Sequence, residues 1–81
     1  MIYIATFFSH FGAMKFKKMC DKSQWPARLM PVPRSLSSSC GTCVEYEGTS
    51  FCPAEAVPEE TEQIVEVHET EYVTIYRAEG V

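Results

Sequence analysis

The alternation of apolar runs and breakers predicts an α+β fold of the ferredoxin-like kind, β-α-β-β-α-β, with an antiparallel sheet and helices on one face. Short β-branched and aromatic runs open and close the chain, IYIATFF at 2–8 and YVTIYR at 72–77. A helix-spaced segment follows the first run. A strictly alternating segment, TCVEYE at 42–47, sits between them.

Taken in order, residues 2–8 read as a buried strand. Ser9 is a helix cap, because its hydroxyl can accept from a free amide of the first turn. The helix then runs from His10 to Lys22. Ala13, Phe16 and Cys20 fall on one face, Met19 widens it, and Lys15, Lys18 and Lys22 point outward. Pro26 closes the break DKSQWP. Residues 27–32 form a second strand, and Pro31 places it at a sheet edge or ends it early, since proline donates nothing to a ladder. Residues 33–41 are loop. In the third strand, 42–47, Val44 and Tyr46 share the apolar face and Cys43, Glu45 and Glu47 the other. Residues 58–68 read as a second helix: Pro58 suits a first turn, Glu59, Glu60 and Glu62 suit its positive end, and Ile64, Val65 and His68 share a face. A strand competes with that helix, because IVEVHETEYVTIY also alternates. Residues 72–77 form the last strand.

The 81 residues make a single domain, 1–81, with little room for a deep enclosed site. Hydrophobic content of 46% with 22% charged residues suits a folded chain. A net charge of −4 argues against nucleic-acid binding, which needs clustered cations. No apolar run approaches the roughly 20 residues of a membrane span. The first lysines follow the apolar start instead of preceding it, the wrong order for a signal peptide, so a cytoplasmic location is expected. There, the four cysteines, Cys20, Cys40, Cys43 and Cys52, are expected as thiols, not as a disulfide framework.

The strings IATFFSHFGAMKFKKM, PVPRSLSSSCG (31–41) and YVTIYR resemble a small bacterial domain family of unknown function described as selenium/sulfur carrier-like. Residues 2–47 carry most of the resemblance, 72–77 some of it, and 48–70 little. It implies a cysteine-bearing carrier whose partners are sulfur or selenium donor and acceptor proteins. The chain departs from the family pattern at Cys43, where an apolar or small residue is usual, and at Cys52 with Pro53 and Pro58, where a cleaner helix is expected.

Sulfur transfer needs an exposed thiol that ionises readily and can be approached. Cys40 sits in RSLSSSCGTC, among hydroxyls and next to a glycine. The hydroxyls of Ser37, Ser38 and Ser39 can donate to a sulfur anion. Gly41 lets the chain turn with its amide accessible, and Arg34 can add positive charge. The bland alternative is a turn cysteine with no chemistry. Cys40 and Cys43 also form CGTC, the spacing of dithiol oxidoreductases, but without the helix that usually follows such a pair. A thiol–disulfide protein using both cysteines therefore stays open, as does a non-catalytic interaction module. A zinc site is disfavoured, because structural zinc usually takes two close ligand pairs and only one is present. No metal and no cofactor is expected. Cys20 is expected in the core, Trp25 over its end, and His10, His68 and the acidic run 55–62 in solvent. Dimerisation through a sheet edge is left open.

Overall fold

Within Ile2–Phe7 (β1), Tyr3, Ala5 and Phe7 point to one side of the sheet and Ile4 to the other, and both sets are buried. A strand buried on both faces must be central, and β1 is. In the computed structural model, which describes residues 1–80, the sheet has five strands in the order β2-β3-β1-β4-β5, all neighbours antiparallel. The remaining elements are α1 (His10–Lys22), β2 (Ala27–Pro31), β3 (Thr42–Glu47), β4 (Thr61–His68) and β5 (Glu71–Arg77).

Ser9 caps α1 as expected: its Oγ accepts from the Gly12 amide at 3.1 Å and donates to Glu60 Oε1 at 2.7 Å. Gly12 is required, because a Cβ there would lie 2.7 Å from the Glu60 Cβ. Ala13, Phe16 and Cys20 face the sheet, fully buried. At the far end Trp25 N donates to Cys20 O (2.9 Å) and Gln24 N to Asp21 O (3.0 Å), with Gln24 at φ 61°. That is a Schellman closure, reached just before Pro26. Phe16 lies between Phe7 and Tyr46, with ring centroids 5.4 and 5.1 Å away, and Trp25 stacks on Tyr46.

β1 and β2 are each antiparallel to β3 and flank it, so the first crossover, through α1, is a split βαβ unit. Pro31 does lie on an edge strand. The second crossover corrects the ferredoxin-like expectation. Residues 48–60 contain no helix, and 61–68, read above as part of one, form β4. The reason is physical: β4 lies between β1 and β5, so Ile64 is buried on the helix side and Val65 on the opposite side. Burial on both faces erases strict alternation and imitates a helical stripe. Pro53 and Pro58 keep the crossover irregular, and it closes the core with Cys52 and Val57. The result is an α+β fold with one helix and a five-stranded antiparallel sheet.

Candidate functional site

The loop after β2 is tied at its neck, where Val32 N donates to Gly41 O at 3.2 Å. Between these points it straps across the sheet face opposite α1. Val32 and Leu36 pack with Met30 on the small cluster Ile4, Cys43 and Val65. Ser38 Oγ donates to Phe7 O on β1 (3.2 Å) and accepts from the Cys40 amide (3.2 Å). Ser39 reaches β4: its Oγ donates to Glu62 Oε2 at 2.8 Å, and its amide points at both carboxylate oxygens at 3.2 and 3.3 Å. On the far side of Cys40, Thr42 Oγ1 lies 3.2 Å from His10 Nδ1 in the first turn of α1. Cys40 is thus held between anchors on β1, β4 and α1.

Glu62 is the centre of this anchorage, and sequence reasoning missed it. The acidic run was expected in solvent, yet Glu62 is only 6% exposed. A buried carboxylate is costly unless hydrogen-bonded, and here it takes the Ser39 donors and the hydroxyl of buried Thr6 at 3.3 Å. These partners lie 23 and 56 residues away in sequence, so no local pattern announces them. His10 is exposed as expected, and its contact with Thr42 was not foreseen.

The serine hydroxyls are placed differently from expectation. Those of Ser38 and Ser39 are donated to Phe7 O and Glu62, so they fasten the loop to the sheet instead of facing the sulfur. Arg34 and Gly41 are exposed, and the space a Gly41 Cβ would occupy is open to 4 Å. Cys40 itself is half-buried, whereas Cys20, Cys43 and Cys52 are buried.

Cys43 follows Cys40 by three positions but lies on the strapped face of β3, paired across the sheet with Thr6 and Met30. Its Sγ points at Pro31 O, 3.7 Å away. Desolvation, then the Glu45 carboxylate, push its thiol up to about 11. Arg28 opposes the shift, and Cys40 lies close enough to add to it. Such a thiol is protonated at neutral pH and is a poor nucleophile. The pair also lacks a helix opening at Cys40, the feature that activates the usual dithiol motif. Cys20 and Cys52 belong to the helix-side core. Burial first, then Asp21 and Cys52, raise the Cys20 thiol to about 12 against a small opposing effect of Lys17. Among the described residues no three His, Cys, Asp or Glu side chains are grouped to hold a metal, and no helix is long and apolar enough to cross a membrane. Beside the strap an open polar groove of about 490 Å³ is lined by Ser35, Ser37, Gln63, Tyr72 and Arg77, among others.

A family model described as "Putative Se/S carrier protein-like" matches residues 2–77. No curated protein and no solved structure matches the chain.

Proposed function

The chain belongs to the selenium/sulfur carrier-like family, and on that premise we propose that it carries sulfur or selenium on Cys40 from a donor protein to an acceptor protein. The observation that carries this reading is the contrast among the four thiols: Cys40 alone is not buried. The other three sit in the two cores, where a partner cannot reach, and burial also disfavours ionisation of Cys20 and Cys43.

In the proposed loading step Cys40 loses its proton to solvent, and the thiolate attacks the outer sulfur of a persulfide on the donor. The new bond joins Cys40 Sγ to that sulfur, the donor's own S–S bond breaks, and the donor leaves as a thiolate. Delivery is the same displacement in reverse sense: an acceptor thiolate takes the outer sulfur and Cys40 departs as the thiolate. No net oxidation occurs in either step. An outer selenium atom follows the same path. Gly41, with no side chain, leaves room for the partner's reacting group beside Cys40. Ser38, Ser39 and Glu62 keep the loop in place while the thiol is approached from outside. In this reading Cys43 is a packing residue beneath the loop and not a second reacting thiol.

The test is the intact mass after incubation with a cysteine desulfurase and cysteine. One added sulfur is expected on the wild type and none on Cys40→Ser. Equal uptake by the two proteins would refute the assignment.

A further inference from the structure

The charge of this chain is unevenly placed. All four lysines, Lys15, Lys17, Lys18 and Lys22, lie on α1, whose single acid is Asp21. The helix therefore carries +3 in a chain of −4, which leaves −7 on everything else. Asp21 is already paired with Lys17 at 2.9 Å, on the flank of the helix. Lys15, Lys18 and Lys22 remain exposed on its outer face, spaced three and four apart in one stripe.

The same stripe is apolar toward the start of the helix. Phe11 is 66% exposed, Met14 44% and Phe8 42%, in a protein whose other aromatic side chains near α1 are packed away. Phe11, Met14, Lys15 and Lys18 line one shallow cavity of about 250 Å³. Large exposed apolar side chains rimmed by charge mark a contact surface better than a solvated face. The start of the helix also adjoins the loop that carries Cys40. Phe8 follows Phe7, whose carbonyl holds Ser38, and His10 opens the helix beside Thr42.

We infer that the outer face of α1 is where the sulfur-donating protein docks, and that the donor meets it with an acidic surface bearing an apolar side chain. The inference rests on the carrier reading of Cys40. The apolar side chain fills the cavity between Phe11 and Met14, and the partner's carboxylates lie against Lys15, Lys18 and Lys22. Docking there brings the donor's persulfide to the helix start, where Cys40 is presented. The rest of the chain, at −7, repels an acidic partner and so favours this one approach.

The experiment compares two sulfur sources for wild type and for the double variant Lys15→Glu/Lys18→Glu. Inorganic polysulfide needs no docking: the Cys40 thiolate takes one sulfur and a shortened polysulfide anion leaves. A cysteine desulfurase charged with cysteine must dock. The variant is expected to load from polysulfide at the wild-type rate, which also reports an intact fold, and from the desulfurase about tenfold or more slowly. Wild-type desulfurase loading should fall with added salt, and the variant's should not. Equal desulfurase rates for the two proteins, or a wild type that loads from polysulfide but not from the desulfurase, overturns the docking inference and leaves Cys40 as a carrier thiol. A wild type that loads from neither source refutes the carrier reading and the inference with it. Sedimentation supplies the remaining outcomes. Self-association lost in the variant assigns the face to a second copy, and lysine-dependent binding to anionic lipid vesicles assigns it to a membrane surface; either result overturns the inference.

Discussion

On the helix side of the sheet the core is broad and aromatic: Tyr3, Phe7, Phe16 and Tyr46 pack ring to ring, with Trp25 stacked at the end. On the opposite side, among the described residues, only Ile4, Cys43 and Val65 are buried as an apolar cluster, and a loop tied down by hydrogen bonds covers them. The helix side stabilises by apolar area, which tolerates no missing ring but is indifferent to direction. The strapped side stabilises less and specifies more, because each hydrogen bond fixes where a particular loop atom sits. One face holds the larger apolar core, and the other holds the loop that carries the half-buried Cys40.

The largest effect that would test this contrast is on the helix side. Phe16→Ala should cost about 3–5 kcal/mol of folding stability in chemical denaturation, because Phe16 is fully buried between two rings. A cost near that of a surface change would mean the aromatic core is not what holds the fold. On the strapped side Glu62→Ala should cost less, about 1–3 kcal/mol, since it strands the buried Thr6 hydroxyl and frees Ser39. Its distinctive sign is local: the Ser39 amide should exchange with solvent faster and Cys40 should alkylate faster, while core amides change only in step with global stability. Uniform acceleration of all amides would erase the distinction between the faces.

How much of this was legible in the sequence follows the same division. The α1 boundaries could be read because Ser9 and Pro26 mark them chemically. The third strand could be read from its alternation, with Val44 and Tyr46 facing the core. The other face of that strand holds a buried Cys43, which alternation alone assigns to the solvent side. β4 could be read only as the strand that competed with a helix, because Ile64 and Val65 are buried on opposite faces and Glu62 interrupts the register with β1. Cys40 was visible as a thiol in a polar turn. What holds it was not: the serines beside it turn toward the sheet, and Glu62 sits in a segment whose local composition is that of a solvated acidic run.

Smaller effects sharpen the comparison further. In the folded chain Cys43 is raised from 9.0 to about 11 by burial. Stability from this group is therefore complete below the ordinary thiol range and is lost as pH climbs through the folded value, as the unfolded chain ionises first. Denaturation midpoints should fall between about pH 9 and pH 11 in wild type, and by less in Cys43→Ala. Equal slopes for the two proteins would show that Cys43 is not buried as a thiol. The smallest effect lies at the seam of the helix-side core, where the Thr61 hydroxyl is buried without a hydrogen-bond partner among the described residues. Thr61→Val should raise stability by roughly 0.5–1.5 kcal/mol, because it removes an uncompensated polar group while keeping the shape. A loss of that size would reveal a partner for this hydroxyl.

The central claim is that the loop presents one thiol and the rest of the chain hides the others. It is tested most directly by locating the transferred sulfur. Wild-type protein loaded from polysulfide would be alkylated to trap persulfides, cleaved, and mapped by fragment ions across the segment that holds Cys40, Cys43 and Cys52. The account predicts the added sulfur on Cys40 alone. Sulfur on Cys43, or spread over several cysteines, would contradict it.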